Sequence, residues 1–432
     1  MIREHDCIVF TDDIPAEGLQ SGDMGTVVHI HPNAAAYEVE FVTLTDLTVA
    51  VVRVLPIRLR PVSRRDLTHV RELTPARGRV KKMLSAGNLS EKQSKRHNEE
   101  SGLAARATPY LLCSSKFDFE IYRLRFELVP VDPVILPRDN KANVIRGAFG
   151  TIFKQLCCGS VCQSCRDCPL RAGCAYADIF EPSPPPDSCR LSANQDIPRP
   201  FVFRPPPDSK TRYGAGESFS FELLLFGKAA KYLAYFVVAF RELTERGFGI
   251  GRARCKLRSI MIQERSKAWS QLYSDADQCV RRAAPSSTVW ELMSRATHRA
   301  EKITVEFVTP TELKCDGHSV PVPEFHHLMK RLRDRISAIG CFYGNASLDI
   351  DFIGFGQRAE TVRRIDYQTT WVDRRRLSTR TGQRHSIGGF VGRFQFEGDL
   401  SEFMPFIYVG EWIHVGKHAV WGNGQYHIAD LT

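Results

Sequence analysis

Residues 246–257 read RGFGIGRARCKL and residues 415–428 read VGKHAVWGNGQYHI, two glycine-rich stretches at equivalent places in two halves of the chain. Each stretch follows an apolar segment with helical spacing and leads into a segment with strand character. Glycine lets backbone N–H groups approach a phosphate closely, and neighbouring Arg or Lys adds positive charge. The pair therefore predicts a duplicated unit that binds phosphate groups.

The segments around the two stretches predict an α+β fold. In the first half, strand-like residues 119–136 precede helix-like residues 143–157, and strand 218–227 precedes helix 229–246 and strand 253–262. The second half repeats this order with strand 302–313, helix 323–336, strand 388–398 and helix 400–413, where Pro405 must lie near the helix start. This order predicts two ferredoxin-like domains in tandem.

The remaining segments complete the predicted domain organisation. Residues 1–70 contain short apolar runs separated by tight-turn signals, which predicts a small all-β, barrel-like accessory domain. Residues 71–110 are polar and basic, as in a linker. We expect the first ferredoxin-like domain at 111–263 with a cysteine-rich insertion at 157–190, a mostly helical connection at 264–299, and the second domain at 300–432.

Composition limits the functional classes. The 432 residues carry a formal net charge of +10, but the charge is uneven: the first 70 residues hold 6 basic and 10 acidic side chains, and the rest hold 53 and 39. A basic body favours a polyanionic partner. Neither a secretory signal nor a run of about 18 apolar residues is visible, so we expect a cytoplasmic protein without membrane contact.

Thirteen cysteines without an export signal favour metal binding over disulfides. The sharpest cluster is Cys162, Cys165, Cys168 and Cys174, with Cys157 or Cys158 as alternatives to Cys162 for the fourth ligand. Four thiolates this close can surround one Zn²⁺ tetrahedrally, and an iron–sulfur cluster is also compatible with the spacing. We expect a structural metal, most simply zinc, and no cofactor for catalysis.

Candidate catalytic imidazoles lie only in the C-terminal half of the body, because no histidine occurs between His97 and His298. His414 and His418 flank Lys417 at the second glycine-rich stretch, beside the predicted phosphate site. The alternative role of these side chains is phosphate binding without catalysis.

Dense guanidinium groups mark a third region, residues 371–392, WVDRRRLSTRTGQRHSIGGFVG. Guanidinium forks suit phosphate oxygens, so this region favours RNA contact over a merely solvated surface. The predicted RNA-binding residues are Gly247, Gly249, Gly251, Arg252, Arg254, Arg374, Arg375, Arg376, Arg380, Arg384, Gly416, His418, Gly422 and Gly424.

Several segments, in order, resemble the CRISPR precursor-RNA processing endoribonucleases of the RAMP superfamily. They are residues 168–182 (CPLRAGCAYADIFEP), 199–257, 309–314 (TPTELK), 371–380, 388–392 and 413–426 (IHVGKHAVWGNGQY). The resemblance covers residues from about 117 to the end. Residues 5–19, 22–31 and 37–42 resemble a short bacterial domain family of unknown function, which implies no activity.

The resemblance implies tandem ferredoxin-like (RAMP, RRM-like) domains and metal-independent cleavage of CRISPR repeat RNA to give guide RNAs. In such cleavage a 2′-OH attacks the adjacent phosphate and leaves a 2′,3′-cyclic phosphate. A base must take the 2′ proton, and cations must stabilise the charged phosphorane. We predict His414 as the base, Lys417 as the phosphate-stabilising group and His385 as the reserve base.

The alternative function is a non-cleaving subunit that holds guide RNA in a CRISPR effector complex. Both functions predict repeat or precursor RNA as the partner, and only the first predicts cleavage. A weaker third alternative is a zinc-dependent nucleic-acid-binding regulator.

Overall fold

The computed structural model describes residues 2–4, 6–15, 18–42, 48–62, 117–138, 140–158, 165, 168–183, 197–296, 300–377 and 384–432. The predicted linker at 71–110 lies outside these residues. The described residues form an α+β fold with two large antiparallel sheets. None of the described helices is long and apolar enough to cross a membrane.

Five strands form the N-terminal region: β1 (Cys7–Phe10), β2 (Met24–Ile30), β3 (Tyr37–Val42), β4 (Thr48–Val54) and β5 (Leu59–Pro61). They pair in the order β5-β1-β2-β3-β4. A small, barrel-like domain was predicted here, and among the described strands no pairing joins β5 back to β4. The open edge of β4 instead pairs with a strand of the body, where Val52 lies opposite Cys279 and Val51 opposite Val280.

The first half of the body contains β6 (Glu120–Pro130), β7 (Val134–Ile135), α1 (Lys141–Cys157), α2 (Ala175–Phe180), β8 (Phe201–Arg204), β9 (Arg212–Tyr213), β10 (Phe219–Phe226), α3 (Leu233–Arg246) and β11 (Cys255–Gln263). Its strands pair in the order β11-β6-β10-β8. Leu124, Phe126 and Leu128 of β6 are fully buried. Residues between them face the open side of the sheet, as the period of two requires.

The connection to the second half differs from the prediction. Residues 264–296 contain β12 (Trp269–Ser274), β13 (Cys279–Val280) and β14 (Ser287–Thr288), and the only helix assigned within them is the five-residue α4 (Val289–Met293). The mostly helical connection predicted at 264–299 is therefore wrong. β12 folds back on β11 in a hairpin that buries Leu272 and Tyr273, because the apolar side chains of this segment find partners in the adjoining sheet.

The second half contains β15 (Lys302–Thr311), β16 (Lys314–Cys315), β17 (His318–Ser319), α5 (Phe325–Tyr343), α6 (Phe352–Glu360), β18 (Arg363–Val372), β19 (Arg375–Leu377), β20 (Arg384–Ser386), β21 (Gly389–Glu397), α7 (Met404–Ile413) and β22 (Tyr426–Leu431). Its sheet has the order β18-β21-β15-β22. Pro405 lies in the first turn of α7, where a missing N–H costs no hydrogen bond.

The two halves share a hydrophobic core. Phe226 and Leu224 of β10 pack in the same buried cluster as Leu332 and Ile336 of α5. A second cluster fills the first half around Phe149, and it also takes in Val28 and Val51 of the N-terminal strands. Neither the N-terminal region nor the second half is therefore separated from the first half by solvent.

A buried carboxylate reinforces the junction of the N-terminal region with the body. Glu38 on β3 is only 1% exposed, and its Oε1 accepts hydrogen bonds from Arg241 of α3 at 2.6 Å and from Arg53 of β4 at 2.8 Å. His31 Nε2 lies 2.8 Å from the same oxygen. A buried charge is tolerated only when it is paired in this way.

We predict that Glu38→Ala lowers the free energy of unfolding of the whole chain by about 3 kcal/mol, because it leaves the buried guanidinium of Arg241 without its carboxylate. Glu4→Ala is the control, because the side chain of Glu4 in its pair with His29 is more than a third exposed. Solvent weakens such a pair, so its loss should lower the free energy of unfolding by less than about 1 kcal/mol. Urea unfolding followed by circular dichroism measures both. Equal effects of the two substitutions would show that the junction is energetically unimportant.

Candidate nucleic-acid interface

The second glycine-rich stretch forms a tight loop between α7 and β22. Five of its residues have left-handed backbone angles: His414, Gly416, His418, Gly422 and Gly424. At Gly424 a side chain would collide with the carbonyl group of Val415, so the loop requires glycine there.

This loop lies against the first half of the body. A β-carbon at Gly422 would approach the carbonyl oxygen of Phe203 to 2.7 Å and the side chain of Ala142 to 2.8 Å. On the other side, the backbone N–H of Lys417 donates to the carbonyl of Glu312 at 3.0 Å. The loop is therefore fixed between β8 and α1 of one half and the segment after β15 of the other.

A cavity of about 740 Å³ opens beside the loop, between the two halves. Cationic side chains outnumber the acidic side chains of Glu312 and Asp334 in its wall. The wall residues with positive or titratable basic side chains are Arg146, Arg199, Lys314, Arg331, Arg335, Lys417 and His418. A concave surface of this charge attracts a polyanion.

Arg335 shows how the cavity wall is organised. Its Nε donates to the carbonyl of Ile413 at 2.9 Å, and its buried Nη2 has no hydrogen-bond partner among the described residues. Burial lowers the pKa of the guanidinium to about 10, so it remains charged at neutral pH. A buried cation with an unpaired donor is a favourable neighbour for an anionic ligand.

His418 and Lys417 both line this cavity. Lys417 is exposed, and the side chain of His418 is 23% exposed. The His418 ring stacks on Trp421 with centroids 4.8 Å apart, and its Nε2 lies 3.6 Å from Oε2 of Glu312. The loop thus presents an imidazole held in one orientation next to an ammonium group.

His414 occupies a different environment, because it is fully buried. Its Nε2 accepts from Nε of Arg204 at 3.1 Å, and Nδ1, which then carries the proton, donates to the carbonyl of Asn423 at 3.0 Å. Burial, followed by the charge of Arg204, holds the pKa of this imidazole well below its usual range. A catalytic base must reach the proton that it removes. In this arrangement His414 has both ring nitrogens occupied and no open face, which contradicts the exposure that its predicted role as base requires.

The arginine-rich region forms a two-stranded hairpin of β19 and β20, in which Arg376 lies opposite His385 and Leu377 opposite Arg384. Asn423 Nδ2 of the glycine loop donates to the carbonyl of Ile387, directly after β20, at 2.8 Å. The base of the hairpin is therefore fixed to the loop. Arg374 and Arg375 belong to the described backbone, whereas Arg380 lies outside the described residues, so its predicted role stays a prediction.

The first glycine-rich stretch lies elsewhere. Gly247, Gly249 and Gly251 all have positive φ, and the N–H of Ile250 donates to the carbonyl of Ile135. Arg254 pairs with Asp132 at 3.1 Å. The residues of this stretch, Arg252 included, are not among those that line the 740 Å³ cavity, so the structure does not bring the two glycine loops together there.

The cysteine insertion is only partly described. Cys165 is buried, Cys168 and Cys174 are partly buried, and Cys162 lies outside the described residues. Within the described residues no group of three or more potential ligands is close enough to hold a metal ion. The predicted four-cysteine metal site remains a prediction.

Sequence reasoning found Lys417 and His418 but missed most of the cavity wall. Arg146, Arg199 and Glu312 reach the cavity from three separate segments, and no local motif marks them. Arg331 and Arg335 were detectable in principle, because their spacing of four residues places both on one face of the amphipathic helix α5.

Burial of His414 makes the stability of the protein depend on pH. In the unfolded chain the imidazole of His414 binds a proton near pH 6.5, whereas in the folded chain it binds one only at lower pH. The contribution of His414 to the free energy of unfolding is therefore complete above about pH 6.5 and is lost as the pH falls. We predict that the melting temperature falls more steeply between pH 7 and pH 5 in the natural chain than in His414→Gln.

Differential scanning calorimetry at several pH values measures this difference. His427→Gln is the matched control, because His427 is 49% exposed. Parallel pH profiles for the natural chain and His414→Gln would contradict the proposed neutral, buried state of His414.

Comparisons with known proteins agree with the motifs. The model of the CRISPR-associated endoribonuclease Cas6 matches residues 305–426, which include the second glycine loop. A model described only as an N-terminal domain matches residues 119–285, and the model of a domain of unknown function, DUF4926, matches residues 4–61. Both resemblances predicted from the sequence are thereby confirmed. No match was found among the curated proteins.

Similar solved structures include a Cas6 product complex, which is 15% identical over 72% of this chain and 99% of the other, with a TM-score of 0.43. Thermus thermophilus Cas6 is 14% identical over 72% of this chain and 98% of its own, with a TM-score of 0.42. A partial Cas6-RT-Cas1–Cas2 complex is 11% identical over 74% of this chain and 47% of the other, with a TM-score of 0.46.

Proposed function

We propose that this chain, which resembles the Cas6 endoribonucleases, binds CRISPR repeat RNA in the cavity between its halves and cleaves it without a metal ion. The family match over residues 305–426 supports CRISPR RNA processing. The observation that carries the proposal is the position of His418 and Lys417, side by side in the wall of a cavity lined mainly by cationic side chains.

The proposed fold of the body is a pair of ferredoxin-like domains. Each half has the order strand, helix, strand, strand, helix, strand, if the short accessory elements are left aside. In both halves the fourth strand pairs with the first, the first with the third, and the third with the second. This topology supports the duplication predicted from the glycine-rich stretches.

The proposed chemistry assigns the base role to His418 instead of His414. A neutral imidazole in the cavity can take the 2′ proton of the scissile nucleotide while the 2′ oxygen attacks the adjacent phosphorus. The bond to the 5′ oxygen breaks, that oxygen takes a proton from water, and the products are a 2′,3′-cyclic phosphate and a 5′-OH. Glu312, 3.6 Å from His418, favours the imidazolium that forms after proton transfer.

Positive charge has a separate role in this proposal. The phosphorane carries more negative charge than the ground-state phosphate, so cations fixed beside it lower the barrier. Lys417 is the nearest cation to His418 along the chain, and Arg335 presents an unpaired donor in the same wall. We assign Arg375, on the hairpin that Asn423 fixes to the loop, to contact with the RNA backbone outside the cavity.

We predict that His418→Ala lowers the cleavage rate by roughly 10²–10⁴-fold, the usual contribution of a general base, with little change in RNA affinity. Lys417→Ala should lower both affinity and rate, because an ammonium attracts the ground-state phosphate as well. The assay uses labelled repeat RNA in EDTA, with a 2′-deoxy substitution at the scissile nucleotide as the chemical control. The rate should rise with pH through the histidine range and lose this rise in His418→Ala.

His427→Ala is the control for the loss of a partly exposed imidazole, and it should cleave normally. His385→Ala tests the reserve base. If His385→Ala abolishes cleavage and His418→Ala does not, the base is His385. If the unmodified protein binds repeat RNA tightly but never cleaves it, the chain is instead a guide-RNA-binding subunit.

We also propose that the cysteine insertion holds one structural metal ion, with Cys162, Cys165, Cys168 and Cys174 as ligands. The spacing of the four cysteines supports this. Arg171 supports it as well, because its guanidinium donates to the carbonyl groups of Cys165 and Glu181 and so links two described residues of the insertion.

We predict about one zinc or iron per chain by elemental analysis, and its loss in Cys165→Ser or Cys174→Ser. Cys341→Ser is the control, since Cys341 lies in α5 away from the cluster in sequence. Because the metal is structural, the variants should melt at lower temperature while their residual folded fraction still cleaves RNA. Metal-free natural protein of unchanged melting temperature would refute the site.

A further inference from the structure

A second, smaller cavity of about 390 Å³ adjoins the basic cavity. It lies between α2, the 3₁₀ helix Gly227–Tyr232 and the C-terminal end of α5. Ile197 and Phe342 line both cavities, so the two are successive parts of one groove between the halves. Most of its lining residues belong to the segments 168–182 and 199–257, but none of them is among the RNA-binding residues predicted from the sequence.

Apolar side chains form the inner wall of the smaller cavity, among them Ala177, Ile179 and Ala229, which are all at most 3% exposed. The wall is held rigidly. At Gly227 the backbone φ is +52°, and a side chain there would collide with the carbonyl group of Tyr343, so the 3₁₀ helix and α5 are in direct backbone contact. A flat, apolar group can therefore enter a preformed space.

Asp178 provides the polar recognition group. Its Oδ2 accepts from the hydroxyl of Tyr232 at 2.5 Å and lies 3.4 Å from Nζ of Lys231. Oδ1 has no hydrogen-bond partner among the described residues, although the side chain is 44% exposed and lines the cavity. A carboxylate oxygen held in this way accepts hydrogen bonds and donates none.

A second polar group in the wall is also unpaired. Tyr343 is 8% exposed, and its hydroxyl has no partner among the described residues. Burial raises the pKa of this phenol, and the charges of Arg199, Asp178 and Arg335 all act on it. Tyr343 lines the smaller cavity and is close enough to Arg199, Asp178 and Arg335 for their charges to act on it.

The charge distribution selects the part of a nucleotide that can enter. A phosphate inside the smaller cavity would lie beside the carboxylate of Asp178, which repels it. Lys228 and Lys231 are exposed at its rim, where they suit a backbone phosphate. The cavity of about 390 Å³ is large enough to hold a nucleobase.

We propose that this smaller cavity binds the base of one unpaired nucleotide of the RNA that occupies the basic cavity, and that it favours bases with an exocyclic amino group. This inference rests on the proposed function as an RNA-binding protein. Proteins read single-stranded RNA by inserting an unstacked base into an apolar pocket and hydrogen-bonding its edge. The Oδ1 atom of Asp178 accepts from the exocyclic amino group of adenine, cytosine or guanine. Uracil has no amino group, and its single donor, N3–H, lies between two carbonyl oxygens that the carboxylate repels.

The test compares binding of oligouridine with binding of the same strand carrying one central adenosine, cytidine or guanosine, measured by fluorescence anisotropy with the full chain. The natural protein should bind the substituted strands about ten-fold more tightly, the lower end of the effect of a hydrogen bond to a charged group. Asp178→Asn should lose this difference, because an amide both donates and accepts. Asp430→Asn, an exposed carboxylate on β22, is the control and should keep it.

Ala172→Trp provides a second variant if Asp178→Asn folds poorly. Ala172 is exposed at the mouth of the smaller cavity, so a larger side chain there fills the entrance without disturbing the core. It should also remove the preference. If both variants keep the preference of the natural protein, or if the natural protein shows none while still binding RNA, the base pocket is refuted. If the natural protein binds repeat RNA but none of these strands, the base pocket is refuted. If it binds neither these strands nor repeat RNA, the proposed function itself fails.

Discussion

The hydrogen bond from Arg204 to His414 holds the two halves of the body together at the site. Arg204 lies at the end of β8 in the first half, and its guanidinium also donates to the carbonyl of Glu411 at 2.5 Å. His414 in turn donates to the carbonyl of Asn423 in the glycine loop, and the side chain of Asn423 donates to the carbonyl of Ile387 at the base of the arginine hairpin. Because His414 and Asn423 are buried, each hydrogen bond left unmade by them would cost the full desolvation of its donor or acceptor.

This chain of contacts explains why a histidine occupies position 414. A neutral imidazole can accept at one nitrogen and donate at the other, which a carboxamide or a lysine cannot do with the same reach and shape. The backbone there has a φ of +62°, which is unfavourable for a residue with a side chain, and the two hydrogen bonds offset that strain. His414 thus positions the loop, and the proposed role of base falls to the partly exposed His418, four residues later.

Local pattern was sufficient to predict the periodic elements. The helices α1, α3, α5 and α7 lie where apolar residues recur at helical spacing, and the glycine loops follow α3 and α7 as expected. Two kinds of feature could not be predicted in this way. The hairpin of β11 and β12 depends on partners in the adjoining sheet, and the difference between His414 and His418 depends on Arg204, which is 210 residues away from His414 in the chain.

The contact of the N-terminal strands with the body likewise could not be predicted from local sequence pattern. Their composition predicts a separate acidic unit, yet β4 continues the sheet of the body and Glu38 of β3 accepts a hydrogen bond from Arg241 on α3. α3 packs against α1, and α1 carries Arg146 into the wall of the basic cavity. A region of net negative charge can therefore affect the basic cavity indirectly, since it stabilises the helix pair from which one cation of the cavity projects.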